Sequence, residues 1–138
     1  MGPESNERDQ DYPEISTGIL LVEDEELLRS LVERYLQSQG FQVYTAADGI
    51  EAVQQYREHW KMIQVVCSDC DLPKLNGFEA FQQMKAINAD VKVMFASGFF
   101  KPQVMQQLRA AGVKYFVQKP YGPEEILTTI QILLGERP

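Results

Sequence analysis

The sequence predicts an α/β domain of the doubly wound kind, with one five-stranded parallel sheet and helices on both faces. Three observations predict it. Short apolar runs alternate five times with amphipathic stretches between residues 18 and 135, the signature of strand–helix units in a parallel sheet. The runs are apolar throughout rather than alternating with polar residues, as in strands buried on both sides. Polar or charged residues close four of the five runs.

The elements follow in order. Ile19-Leu20-Leu21-Val22 is a buried strand that stops at Glu23-Asp24. Leu27, Leu28, Leu31, Val32, Tyr35 and Leu36 then recur at helical spacing, and Gly40 ends that helix. Residues 41–45 form a second strand, and Asp48-Gly49 opens a helix expected to carry Ile50, Val53 and Tyr56 inward. A third strand, 65–67, runs into Ser68-Asp69. The turn Pro73-Lys74-Leu75-Asn76-Gly77 precedes a helix with Phe78, Phe81 and Met84 on one face. Residues 91–96 make the fourth strand, closed by Ser97-Gly98. Pro102 suits the first turn of the next helix, which runs towards Ala111-Gly112. Residues 115–117 are the fifth strand, ending at Gln118-Lys119-Pro120. The last helix turns Ile126, Leu127, Ile130, Leu133 and Leu134 inward.

Bulk properties narrow the function. With 44% hydrophobic residues the chain can fill a core without staples. A net charge of -7 argues against a nucleic-acid-binding surface on this domain. Two cysteines, Cys67 and Cys70, are too few for a disulfide framework and fit a reducing cytoplasm. No apolar run approaches the roughly 20 residues needed to span a bilayer. The leading residues lack a signal-peptide core, and Asn6 stands where myristoylation wants Ser or Thr. Residues 1–17 are expected to be a flexible polar lead-in, and 18–135 the folded domain.

Ligands in open α/β sheets bind at the carboxyl ends of the strands. Here those ends carry Glu23-Asp24, Asp69, Ser97 and Lys119. Each residue alone has an ordinary explanation as a helix cap, a turn residue or a solvated lysine. Together they put three carboxylates, a hydroxyl and an ammonium on one rim. Three neighbouring carboxylates repel, and a divalent cation removes the conflict; hard oxygen ligands suit Mg²⁺. With Lys119 and Ser97 for phosphate oxygens, the set suits phosphoryl transfer, with a carboxylate as nucleophile.

The segments Ile19–Glu26, Ser68–Gly77, Phe95–Gly98 and Phe116–Pro120, in that order and spacing, resemble the response-regulator receiver family over about residues 17–134. The resemblance implies a flavodoxin-like (βα)5 fold. It implies Asp69 as phosphoacceptor in two-component signalling or a phosphorelay. It implies Mg²⁺, with Mn²⁺ as a substitute, held by Asp24, Asp69 and the backbone carbonyl of Asp71, with Glu23 helping through water. Lys119 would hold a phosphoryl oxygen and form a cis bond to Pro120. Ser97 would move to the phosphoryl group and Phe116 would turn inward with it, switching the face of the fourth helix, fifth strand and fifth helix. The implied partners are a histidine kinase or a histidine phosphotransfer domain, with a fused kinase or output domain allowed in a parent chain. A phosphorylation-dependent homodimer is allowed as well. Such a protein catalyses only its own phosphorylation and dephosphorylation and is not otherwise an enzyme.

Three departures stand out. Glu23 replaces the commoner Asp. Asp71 lies two residues after the acceptor, where the family often has Met or another neutral residue, and Phe99 lies two after Ser97. Asp71 and Phe99 are therefore expected to tune the lifetime of the phosphorylated state. Two rival readings stand beside this one. Asp69-Cys70-Asp71 also resembles the D-x-D of haloacid-dehalogenase-type phosphatases, but that family carries it on the first strand. A degenerate receiver acting only as a binding module is the other, and the intact Asp69, Ser97 and Lys119 speak against it. A flavodoxin-like flavin binder would need a phosphate-cradling loop after the first strand, and none is present. Cys67 and Cys70 superficially match C-x-x-C, but residues three apart on a strand face opposite ways, and no further ligands complete a zinc site. His59, the single histidine, has no triad partners around it.

Overall fold

A computed structural model describes residues 16–136; most of the expected lead-in, residues 1–15, lies outside the described residues. Five strand–helix units run in order: β1 Gly18–Val22, α1 Glu26–Ser38, β2 Gln42–Ala46, α2 Gly49–His59, β3 Ile63–Asp69, α3 Gly77–Ile87, β4 Val93–Ser97, α4 Pro102–Ala110, β5 Tyr115–Gln118 and α5 Pro123–Leu134. The strands form one parallel sheet in the order β2-β1-β3-β4-β5. The doubly wound expectation holds, and the order reverses between β1 and β3, the switch point beside which ligands bind in sheets of this kind.

Two apolar clusters sandwich the sheet. On one face Leu20, Val22, Val66 and Phe95 meet Val53 and Tyr56 of α2, Phe81 and Met84 of α3, and Leu108 of α4. On the other, Ile19, Leu21, Val65 and Met94 meet Val32 and Leu36 of α1 and Ile126, Ile130 and Leu133 of α5. Alternate residues of β1 thus serve opposite clusters, as the pleat requires. Each fully buried aliphatic side chain contributes roughly 1.5–3 kcal/mol by leaving water. Helix α4 contributes least, because Leu108 is its single buried residue.

The helix boundaries have local causes. Helix α1 ends in paired bonds from Gly40 N–H to Gln37 O (3.0 Å) and from Phe41 N–H to Leu36 O (3.2 Å). This closure needs a positive φ at Gly40, which is 97°. Helix α2 is capped by Asp48, whose Oδ1 accepts from Glu51 N–H at 2.8 Å. Asn76 and Glu79 form a reciprocal capping box at α3. At Gly49 the loop after β3 comes so close that an added Cβ would stand 1.8 Å from Leu75 O. Lys74 ties the same loop to Asp48 at 3.4 Å.

Several expectations need correction. Ile50, expected inward on α2, is 47% exposed, because it sits in the first turn, where Ala52 and Val53 take the inward face instead. Leu27 and Leu31 fit the helical spacing of α1 yet are 83% and 58% exposed; Val32 and Leu36 carry the buried stripe. On α5, Leu127 and Leu134 are half-buried flanks of the Ile126, Ile130 and Leu133 stripe. The third strand extends further at both ends than 65–67, and the fourth begins at Val93 rather than 91.

Candidate functional site

The site grows out of the sheet. Because β1 and β3 are neighbours in parallel register, with Val22 beside Ser68, their continuations Glu23 and Asp69 emerge at one end. β4 delivers Ser97 through the pairing of Asp69 with Ala96. β5 delivers Lys119 one residue past Gln118, which pairs with Ser97. The backbone N–H of Lys119 also donates to Ser97 O at 2.9 Å. Four separated sequence positions therefore meet because four adjacent parallel strands end together.

Glu23 and Asp69 are buried, while Asp24 is exposed beside them. One carboxylate oxygen from each lies within 4.8 Å of the others. Lys119 Nζ donates to Glu23 Oε1 at 2.9 Å and to Asp69 Oδ2 at 3.0 Å. Asp69 Oδ1 accepts from Asp71 N–H at 3.2 Å, and Glu23 Oε2 accepts from Glu25 N–H at 3.0 Å. Glu23 and Asp69 are thus hydrogen-bonded, but one ammonium serves a cluster of three carboxylates. Burial pushes both the Glu23 and Asp69 carboxyls above the ordinary carboxylate range despite their bonds to Lys119. For Lys119, burial works downward, but the bonds to Glu23 and Asp69 outweigh it and hold the ammonium above its ordinary value. The surplus of carboxylate oxygen is the donor set that a hard divalent cation fits, so the residues present suit Mg²⁺.

The remaining expected residues sit around this centre. Ser97 is buried; its hydroxyl donates to Asp71 Oδ2 (3.2 Å) or Phe99 O (3.0 Å) and accepts from Phe99 N–H (3.2 Å). Phe99 itself is 69% exposed. Phe116 lies apart from the acids, half-buried, edge-to-face with Phe100 at 5.5 Å and 5.3 Å from the Arg109 guanidinium. The Lys119–Pro120 peptide bond is cis. Cys67 and Cys70 are free, buried and on opposite faces of the sheet. Burial pushes the Cys70 thiol up to about 12 and the Cys67 thiol up as well, which makes both unreactive as nucleophiles. His59 stacks on Tyr44 at 4.5 Å, remote from the rim.

Two residues near the site escape sequence reasoning. Arg29 Nη1 donates to Glu23 O at 2.8 Å, pinning the acidic loop to α1. Tyr121 is raised by burial and then by the Glu23 charge, so its hydroxyl stays protonated over the acids. Arg29 is one arginine among several on amphipathic helices, with no sequence signal of its own. Tyr121 directly follows Lys119-Pro120, and that position is the only hint.

A parallel sheet of order 2-1-3-4-5 with acids and an amine at its switch point defines a flavodoxin-like α/β domain whose rim carries an acidic cluster able to hold a metal ion. The sequence matches the family described as response regulator receiver domain over residues 19–131, and the chain belongs to that family. It is a receiver domain of two-component systems. It is 29% identical over 118 residues to the chemotaxis protein CheY of Bacillus subtilis, covering 85% of this chain and 97% of CheY. It is 32% identical over 122 residues to the sensor kinase CckA of Brucella abortus, covering 88% of this chain; it spans only 13% of that kinase's length. Among solved structures it resembles the receiver domain of the sensor histidine kinase PA1611 from Pseudomonas aeruginosa. That match has a TM-score of 0.77 and 27% identity, and covers 88% of this chain and 99% of the other. That receiver carries a magnesium ion coordinated in its active-site cleft. No helix among the described residues is long and apolar enough to cross a membrane.

Proposed function

We propose that residues 18–135 act as a phosphoacceptor that takes a phosphoryl group from a phosphohistidine of a sensor kinase or phosphotransfer domain onto Asp69. The observation that carries this reading is the pairing of a buried Asp69 with Lys119, with carboxylate oxygens of Glu23 and Asp24 within 4.8 Å. An Asp69 carboxylate oxygen attacks phosphorus, the phosphorus–nitrogen bond to the imidazole breaks, and the nitrogen keeps the electron pair. Lys119, which now holds Asp69 Oδ2, would neutralise a phosphoryl oxygen of the acyl phosphate that forms. Asp71 N–H, donating to Asp69 Oδ1, keeps the carboxylate oriented. Asp24, Asp69 and the Asp71 carbonyl would hold Mg²⁺, with Glu23 acting through water. Bound there, the cation would supply charge neutralisation of the transferring group. Cytoplasmic location and a kinase-fused or output-fused parent chain are part of the same reading.

Phosphorylation shifts a two-state equilibrium only through interactions that differ between the states. Ser97 and Phe116 are the groups positioned to report it: Ser97 on the rim, Phe116 between β5 and the ring of Phe100. The test is labelling with acetyl phosphate and Mg²⁺. One acid-stable, hydroxylamine-labile phosphoryl group per chain is expected, and none on Asp69→Asn with its fold intact by circular dichroism. Label retained on Asp69→Asn, or sustained turnover of p-nitrophenyl phosphate as a haloacid-dehalogenase-type phosphatase would give, overturns the proposal.

A further inference from the structure

Ser97 has no spare hydrogen-bond donor. The residue is 1% exposed, its single hydroxyl proton has Asp71 Oδ2 and Phe99 O as its acceptors, and one of the two lone pairs takes the Phe99 N–H. Residue 71 grips the site twice, through its N–H on Asp69 Oδ1 and its carboxylate on Ser97. We propose that the Asp71 carboxylate is a positioning residue that holds the Ser97 hydroxyl in the resting arrangement and must release it before Ser97 can bind a phosphoryl oxygen. This inference rests on the phosphoacceptor reading above.

The physical argument is an exchange of partners. A phosphoryl group on Asp69 brings a charge of about -1.5 to -2 and strong acceptor oxygens to the rim. That charge repels the Asp71 carboxylate and offers the Ser97 hydroxyl a stronger acceptor. The bond from Ser97 to Asp71 breaks as the bond to the phosphoryl group forms. Asp71 has somewhere to go. It lies on the surface and lines a cavity of about 480 Å³ between α3 and α4, whose wall also includes Phe78, Phe99 and Lys101. Lys101 gives that wall a positive charge to receive the released carboxylate. A neutral, apolar side chain at this position would leave Ser97 with only the backbone of Phe99 to give up. Asp71 therefore sets how strongly the resting state resists occupancy.

The experiment is binding of beryllofluoride, a phosphoryl mimic, in the presence of Mg²⁺, followed by calorimetry and fluorine NMR. It compares the parent with Asp71→Ala, Asp71→Asn, Ser97→Ala and the double variant Ser97→Ala/Asp71→Ala. A hydrogen bond to a charged but exposed acceptor sets the scale, so Asp71→Ala is expected to bind about fivefold to tenfold tighter. Asp71→Asn keeps an acceptor for Ser97 without the charge, and its gain is smaller. In the Ser97→Ala background the Asp71→Ala gain shrinks at least about twofold, to the part that charge repulsion alone supplies, because no hydroxyl remains to be released. A gain undiminished in that background means Asp71 acts on the phosphoryl charge alone, and overturns the proposal. So does an Asp71→Ala protein that binds no more tightly than the parent. A parent that fails to bind beryllofluoride with Mg²⁺ overturns the phosphoacceptor reading together with this one. The parent measurement thus separates the two failures.

Discussion

Lys119→Met probes the electrostatics of the rim directly. Among the described residues, Lys119 is the side-chain cation bonded to both Glu23 and Asp69. Its side chain is 20% exposed, while those of the two acids are 3% and 6% exposed. Removing one member of a buried ion pair costs about 3–5 kcal/mol when the stranded charge has no escape. Here the partial exposure of Lys119 and the ability of the acids to take up protons reduce the cost. We expect a loss of about 2–3 kcal/mol at pH 8 with EDTA present. With a urea m-value of about 1–3 kcal/mol/M, the midpoint falls by roughly 0.7–3 M. The pH dependence has a definite sign. Burial raises the folded pKa values of Glu23 and Asp69. Such groups contribute stability that is full below their unfolded values, near about 4, and lost as the pH rises through their folded values. Without Lys119 those folded values rise further, so the variant loses more stability between pH 5 and pH 8 than the parent does. Lys119 itself, held above its ordinary value, stays charged across this window. Urea unfolding at both pH values reads the difference, and added Mg²⁺ narrows it by linkage at the same acids. A deficit of equal size at pH 5 and pH 8, or none at pH 8, would refute the reasoning.

Further predictions concern the frame that holds the rim. Gly49→Ala drives a Cβ into Leu75 O and displaces the loop after β3; a loss of about 2–4 kcal/mol in urea unfolding is expected, with a drop in Mg²⁺ affinity measured by calorimetry. Ile130→Ala empties part of the cluster under α1 and α5 and costs about 2–5 kcal/mol, while acetyl phosphate labelling of Asp69 stays stoichiometric. Asn76→Ala removes half of the α3 capping box and lowers stability by about 1 kcal/mol, read as a shift in thermal midpoint.

The rim was legible in the sequence because a parallel β/α alternation sends every strand in the same direction. Once residues 19–22, 65–67, 91–96 and 115–117 read as strands, the residues just past them had to share an edge. That logic reached Glu23, Asp24, Asp69, Ser97 and Lys119, and the topology agrees. Side-chain partners were not legible in the same way. The bond from Lys119 to Glu23 spans 96 residues, and that from Ser97 to Asp71 spans 26. No local pattern encodes either, because each depends on the rotamers chosen after the strands assemble. Helical spacing misled for Leu27, Leu31 and Ile50. Periodicity locates a stripe but does not say how much of its width the sheet covers, and first-turn residues project past the sheet end. Arg29 was invisible because its contact is to a backbone carbonyl, which any sequence supplies.

Helix α4 has Leu108 as its one fully buried anchor on the sheet, with half-buried Val104 packed beside it and the cavity lined by Asp71 and Ser97 open alongside. A lever fixed at one rivet turns with little effort, whereas α1 and α5, each riveted at two or three points, do not. Amide exchange in α4 should therefore run ahead of that in α5. The outer side of α4 carries few packing duties, so substitutions there can reshape what the domain presents without disturbing the acids at the rim.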